Sequence, residues 1–96
     1  MTKSELVKQI SKQTGIENAV VLTIVEAFME DIKSNMASGN EIFLRGFGSF
    51  ILKTRAEKTA RNISKNTSVV IPPHNIPFFK PCPEFKEAVV DTPMED

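Results

Sequence analysis

The chain contains no tryptophan, no tyrosine, one cysteine and one histidine. A single cysteine, Cys82, cannot form an internal disulfide, and a structural zinc site needs four ligands, usually cysteine and histidine. No apolar run approaches the ~18 residues that cross a bilayer. Phosphate-cradling glycine loops and paired carboxylates are also missing. We therefore expect no metal, cofactor, catalytic residue, small-molecule substrate or membrane partner, and predict that the chain is not an enzyme.

The length of 96 residues predicts one domain. A domain this small buries only part of its surface, so its core is thin unless a second chain contributes to it. No signal-peptide pattern is visible at the first residues, and one cysteine fits a reducing compartment. These features favour a cytoplasmic protein that forms oligomers.

A net charge of zero conceals an uneven distribution along the chain. Residues 1–44 carry a net charge of −2, residues 45–80 carry +6 and residues 81–96 carry −4. A strongly basic middle third indicates a polyanionic partner more clearly than the total charge does.

Two helices are predicted at the start of the chain. Thr2 and Glu5 form a capping box for a helix that runs to about Gln13, and Gly15 is a natural stop. A second helix runs from about Asn18, with either Glu17 or Asn18 as its N-cap, to about residue 38.

The second helix is apolar over an arc of about 220°. A surface helix of a small monomer usually has a narrower apolar stripe. The alternative is a central helix in a monomer, but few other elements are available to cover it. We therefore favour contact with a second chain.

From Ile42 the pattern changes to the alternation of a β-strand, and Gly46 and Gly48 suit a tight turn around Phe47. From residue 53 to residue 61 the alternation continues, but neither face is apolar enough to pack on a core. Residues 53–76 therefore predict a long two-stranded ribbon, which is only marginally stable alone. The phenylalanines are expected to be core residues and not platforms for base stacking, because they lie in body strands. Pro83 begins a last helix, and residues 91–96 form an acidic tail.

The stretch 58–66, "KTARNISKN", surrounds one large apolar residue, Ile63, with cations. An apolar side chain at an exposed tip is unfavourable in water unless it packs on its own arm or a partner covers it. The cations around Ile63 suit a polyanionic partner.

Three motifs of the chain are typical of one family: "GFGSF" at 46–50, "RAEKTARN" at 55–62, and Pro77-x-Phe79-Lys80-Pro81, where the chain returns from the ribbon. With these motifs the chain resembles, over about residues 2–90, the HU/IHF family of bacterial nucleoid-associated DNA-binding proteins. The resemblance implies an α+β fold. It also implies an intertwined dimer with a helical base, a three-stranded antiparallel sheet per chain extended into a long β-ribbon arm, and a C-terminal helix. We predict a single domain, with a dimerisation body at 1–52 and 77–90, a β-arm at 53–76 and the tail at 91–96.

The resemblance also implies roles for individual residues. Basic positions of the arm and body, together with the arm-tip asparagine and the wedge, make up the predicted DNA-binding set: Lys3, Lys53, Arg55, Lys58, Arg61, Asn62, Ile63, Lys65, Lys80 and Lys86. Aromatic positions make up the predicted dimer core: Phe28, Phe47, Phe50 and Phe79. The chain departs from the family at Ile63, where the arm-tip wedge is usually proline, at Asn66, which replaces a glycine, in the uncharged return strand and in its net charge. Because apolar wedges include isoleucine as well as proline, the resemblance implies that Ile63 intercalates between base pairs while cations such as Lys65 hold the kinked duplex.

The expected function is therefore that of an architectural protein of the bacterial nucleoid, which wraps and bends duplex DNA through the minor groove with two β-arms. Sequence specificity should be low, because phosphate contacts carry no sequence information and the minor groove discriminates little. Bent or nicked duplex should be preferred. The partner chain is a second copy or a paralogue. The alternative is a dimer of the same fold that binds protein, with weak or no DNA binding.

Overall fold

Residues 1–62 and 67–94 are described by the computed structural model, without the side chains of residues 60–62 and 67–69. The helices are α1 (Lys3–Thr14), α2 (Asn18–Ala37) and α3 (Pro83–Ala88). The strands are β1 (Ile42–Leu44), β2 (Gly48–Arg55), β3 (Lys58–Asn62), β4 (Thr67–Ile71) and β5 (His74–Pro81). The α+β class predicted from the sequence is confirmed. The chain divides into two compact units, Met1–Ser38 and Gly39–Asp96.

The first unit is a pair of packed helices whose ends follow local signals. The hydroxyl oxygen of Thr2 accepts a hydrogen bond from the Glu5 amide at 3.3 Å, and its hydroxyl donates to the Glu5 carboxylate at 3.3 Å. Gly15 ends α1 in the left-handed region at φ 75°, with its amide bonded to the Ser11 carbonyl. Glu17 is the N-cap of α2 but makes no side-chain capping bond.

The helical unit leaves much apolar surface in water. The buried hydrophobic side chains among the described residues are Val7, Val21 and Met36. Along α2, by contrast, Val20, Ile24 and Phe28 recur at four-residue spacing and remain 46%, 57% and 49% exposed. Residues four apart lie on one side of a helix, so these three side chains form a continuous apolar stripe.

The second unit is built on an antiparallel three-stranded sheet of order β1-β2-β5. Ile42 pairs with Phe50 and Leu44 with Gly48, so β1 and β2 form a hairpin. Strand β5 returns along the other edge of β2, from Arg55 opposite His74 to Gly48 opposite Pro81.

Two glycines shape the hairpin turn. Gly46 has φ 82°, a conformation that side chains with a Cβ rarely adopt. Gly48 is needed for space: a Cβ there would lie 2.6 Å from the Phe79 ring and 2.7 Å from the Lys80 carbonyl oxygen. The Phe47 carbonyl accepts a bond from the Cys82 amide at 3.0 Å, which ties the turn to the start of α3. Pro83 occupies the first turn of α3, as the sequence predicts.

Two separate strand pairs make up the predicted ribbon. The inner pair is the end of β2 and the start of β5, from Lys53 opposite Ile76 to Arg55 opposite His74. The outer pair is β3 with β4, from Lys58 opposite Ile71 to Asn62 opposite Thr67. Residues 56–57 and 72–73 belong to no strand, so the alternation predicted to run unbroken from residue 53 to residue 61 is interrupted. The break faces Pro72 and Pro73, and proline has no amide hydrogen to donate to a ladder.

None of the helices in residues 1–62 and 67–94 combines the length and the apolar character that crossing a membrane requires.

Candidate nucleic-acid interface

Strand register gathers three predicted DNA-binding cations on one face of the three-stranded sheet. Lys53 lies opposite Ile76, Arg55 opposite His74 and Lys80 opposite Ser49. Paired residues point to the same side of an antiparallel sheet, and residues two apart along a strand share that side. We call this the basic face; its members are Phe43, Ser49, Ile51, Lys53, Arg55, His74, Ile76, Phe78 and Lys80.

The three cations of the basic face are exposed. The Lys53 ammonium lies 3.7 Å from the centroid of the Phe78 ring, within the range of a cation–π interaction. At an exposed site such a contact is worth about 0.5–1 kcal/mol. Phe78 therefore orients the Lys53 side chain without removing it from solvent.

Three further predicted DNA-binding residues, Lys58, Arg61 and Asn62, lie on strand β3. Lys58 begins β3 and is exposed. Arg61 and Asn62 pair with Ser68 and Thr67 through their backbones. The predicted wedge Ile63 and its neighbour Lys65 lie outside the described residues, as does Asn66.

The two predicted cations on helices have different surroundings. The Lys3 ammonium lies 3.2 Å from a carboxylate oxygen of Glu26, and both side chains are about half exposed. A surface pair of this kind contributes little to stability, but it partly neutralises Lys3. Lys86 is exposed in the last turn of α3.

The opposite face of the sheet carries an aromatic cluster. The Phe79 ring centroid lies 5.1 Å from that of Phe47, 4.9 Å from that of Phe50 and 6.0 Å from that of Phe85. Phe85, on α3, is a member that the predicted dimer core did not include; its position on the apolar face of the last helix was the available signal. Phe28, the fourth predicted core residue, lies on the apolar stripe of α2 and is 49% exposed.

Two phenylalanines lie on the basic face, away from the aromatic cluster: Phe43, which is 71% exposed, and Phe78, which is 39% exposed. Exposure alone does not separate them from the predicted core set, because Phe47 in the aromatic cluster is itself 43% exposed. The reason is the pleat: Phe43 pairs with Ser49 and Phe78 with Ile51, whereas the clustered Phe50 and Phe79 occupy the alternate positions. The alternation of Ile42 and Leu44 around Phe43 was the signal that could have found the first of them.

The single histidine and cysteine serve local structure. His74 Nδ1 lies 3.0 Å from the Pro72 carbonyl oxygen, at the break in the ribbon. Cys82 is the N-cap residue of α3, and hydrogen bonding from its side chain lowers the pKa of the Glu84 carboxyl. Among the described residues, no group of three or more His, Cys, Asp or Glu is placed to hold a metal ion.

Comparison with known proteins gives a consistent result. The model of the family described as bacterial DNA-binding protein matches residues 1–90. The chain is 43% identical over 93 residues to the integration host factor β subunit of Marinobacter nauticus, covering 96% of this chain and 95% of the relative. It is 36% identical over 89 residues to DNA-binding protein HRL18 of Rhizobium leguminosarum, covering 93% and 98%.

Solved structures agree with these sequence relatives. An Anabaena HU crystallised with DNA superposes with a TM-score of 0.88 at 30% identity, over 95% of this chain and 99% of the other. An HU variant from Thermotoga maritima superposes with a TM-score of 0.69 at 28% identity, over 93% and 99%.

Proposed function

The chain belongs to the bacterial DNA-binding protein family, the HU/IHF family of non-enzymatic architectural proteins, and on this premise we propose that it bends duplex DNA through the minor groove. Family membership confirms the prediction that the chain is not an enzyme. Membership in the family does not by itself establish which groove of the duplex is bound, whether the duplex is bent, how specific binding is, or which residues make contact. Its place of action would be the bacterial nucleoid.

The observation that carries the proposal is the alignment of cations along the sheet and into the ribbon. Lys53, Arg55 and Lys80 share the basic face, and Lys58 begins β3, three residues beyond the end of β2. The same fold in Anabaena HU was crystallised with DNA. Cations in a row along a strand suit a duplex backbone, whose phosphates recur at regular intervals.

The working unit would be a dimer. The helical unit buries few described side chains, and the stripe of Val20, Ile24 and Phe28 is half exposed in one chain. A second copy of the chain packed on this stripe would remove the three side chains from water. The resulting symmetric dimer would carry two ribbons. Two ribbons could then grip one duplex from two sides.

Bending would come from the arm tips. Ile63, the wedge predicted from the sequence, would enter a base step, and the cations of the arm would hold the kinked duplex. Unstacking costs a few kcal/mol, which phosphate contacts offset. Sites that are already flexible, nicked or mismatched cost less to deform, so preference would follow deformability more than sequence.

Titration of a labelled duplex of ~35 base pairs, intact and nicked, at about 50, 100 and 200 mM salt tests the proposal. We expect tighter binding to the nicked duplex. Affinity should fall roughly 1000-fold over this range if about six counterions are released. Absence of binding to either duplex at the lowest salt would contradict the proposal and favour a protein-binding dimer of the same fold.

A second expected result concerns the wedge. Ile63→Ala should reduce the bend measured by energy transfer between dyes at the duplex ends, because alanine is too short to hold a base step open. Affinity for intact duplex should fall about fivefold, and affinity for nicked duplex should change less. Ile63→Leu is the matched control, since it keeps an apolar side chain of the same volume. An unchanged bend in Ile63→Ala would exclude intercalation by this residue.

A further inference from the structure

Strand β2 has a neighbouring strand on both sides only at its start. Strand β1 pairs with it from Gly48 to Phe50, whereas β5 pairs with it as far as Arg55. From Ile51 onward, the edge of β2 that faces β1 therefore has no strand beside it among the described residues. The inner strand pair of the ribbon leaves the sheet from this one-sided stretch.

One side chain takes the place of the missing strand. The carboxylate of Glu41, the residue directly before β1, accepts a hydrogen bond from the Leu52 amide at 2.9 Å. A hydrogen bond to an ionised acceptor is stronger than one between neutral groups. It attaches β2 to the β1 edge two residues farther along than the backbone pairing does.

The strand register explains why the Leu52 amide is available to a side chain. Ile42 lies opposite Phe50, so a longer β1 would place Asn40 opposite Leu52. The chain turns at residues 38–39 and Asn40 belongs to no strand, so its backbone does not extend the ladder. The Glu41 side chain supplies the acceptor that a longer β1 would have provided.

The position of this bond matters because the ribbon is a lever. Leu52 is the residue before the inner strand pair, which begins at Lys53. An extended strand from Leu52 to Asn62 spans up to about 33 Å, at about 3.3 Å per residue. A tilt of about 10° at its root would move its far end by about 6 Å, more than the ~3.4 Å axial rise between phosphates of one DNA strand.

We propose that Glu41 is a positioning residue for the arm. Its hydrogen bond to the Leu52 amide holds the root of the ribbon at the β1 edge and fixes the direction in which the ribbon presents its cations. A ribbon with a preset direction loses less conformational freedom when it grips a duplex, which favours binding. The effect on DNA rests on the proposed function, whereas the bond and the order of the ribbon are properties of the free protein.

The charge of Glu41 separates positioning from simple electrostatics. Its carboxylate is bonded at the residue next to Lys53, so it repels a phosphate that approaches this lysine. On charge alone, any uncharged residue at position 41 should raise affinity for DNA. Positioning predicts the reverse for a residue that cannot accept the hydrogen bond.

Glu41→Ala and Glu41→Gln test these alternatives on a duplex of ~35 base pairs at ~0.1 M salt. Both substitutions remove the charge, but the glutamine side chain keeps a carbonyl oxygen that can accept from the Leu52 amide. We expect affinity to fall roughly fivefold in Glu41→Ala and to be equal or higher in Glu41→Gln. Equal affinities of the two variants would overturn the proposal.

Glu57→Ala is the control for charge, because it removes a carboxylate from the stretch between β2 and β3. Its affinity for the duplex should rise. A loss in Glu57→Ala as large as that in Glu41→Ala would overturn the proposal, since the bond to Leu52 would then not be the cause.

Nuclear magnetic resonance tests the bond and the ribbon without DNA. In Glu41→Ala the Leu52 amide should exchange with solvent about tenfold faster or more. Order parameters of the amides from Lys53 to Arg55 should fall from about 0.85 toward 0.6. Both quantities should be retained in Glu41→Gln. Unchanged exchange at Leu52 would show that the bond does not form, and unchanged order parameters would show that it does not position the ribbon.

Two further outcomes have separate meanings. Faster exchange throughout β2 and β5 in Glu41→Ala would indicate a general loss of stability and overturn the positioning role. If the unaltered protein bound neither intact nor nicked duplex, the proposed bending function would be rejected. Leu52 exchange and the order parameters would still decide whether Glu41 positions the ribbon.

Discussion

Replacing Arg55 and Lys58 together by glutamine is expected to lower affinity for duplex DNA by about 100-fold or more at ~0.1 M salt. Arg55 ends β2 on the basic face and Lys58 begins β3, so the pair spans the break between sheet and ribbon. Both side chains are exposed. If each contacts a phosphate, both arms of a dimer together lose four contacts.

The salt dependence identifies the cause of this loss. Each phosphate contact contributes about 0.9 to the slope of log affinity against log salt, so four lost contacts reduce the slope by about 3.6. The matched control is Lys8→Gln with Lys12→Gln, which removes the same charge from exposed positions of α1. A slope that falls equally in both double variants would show that net charge, and not the position of these two residues, determines binding.

Phe28→Glu is expected to convert the protein from a dimer to a monomer. Sedimentation equilibrium should give twice the chain mass of 10.7 kDa for the unaltered protein and the single mass for the variant. Phe28 belongs to the half-exposed apolar stripe of α2. In a symmetric interface the substitution places two carboxylates where apolar side chains meet, and desolvating each costs several kcal/mol. The dissociation constant should therefore rise by at least about 100-fold.

Thr23→Glu is the matched control, because it adds the same charge at an exposed position of the same helix that lies outside the stripe. Its mass should remain that of the dimer. A mass of 10.7 kDa for the unaltered protein would contradict the proposed dimer directly. Helical circular dichroism distinguishes a folded monomer from an unfolded one, since the helical unit has few buried side chains of its own.

Much of the fold could be predicted because its signals are local. The Thr2 cap, the stop at Gly15 and the turn at Gly46 each depend on a few neighbouring residues, and the structure contains all three. The α+β class follows from the change of apolar period after α2. The interruption of the ribbon could also have been read from Pro72 and Pro73, because proline cannot donate to a strand ladder.

The composition of the site was predicted better than its arrangement. The sequence identified Lys53, Arg55 and Lys80 as cations for DNA, but Lys80 lies 25 residues or more from the other two along the chain. Only the pairing of β2 with β5 places all three on one side of the sheet. A shift of one residue in that register would turn every side chain of β5 to the other face.

The sequence by itself therefore determined the helices, the turns, the charge of the ribbon and the family. The tertiary structure decided which phenylalanines join the aromatic cluster and which lie on the basic face. Phe78 and Phe79 are neighbours in the chain, yet one lies beside Lys53 on the basic face and the other among Phe47, Phe50 and Phe85. Composition cannot distinguish them, because the direction of a strand side chain depends on which residue of the neighbouring strand it faces.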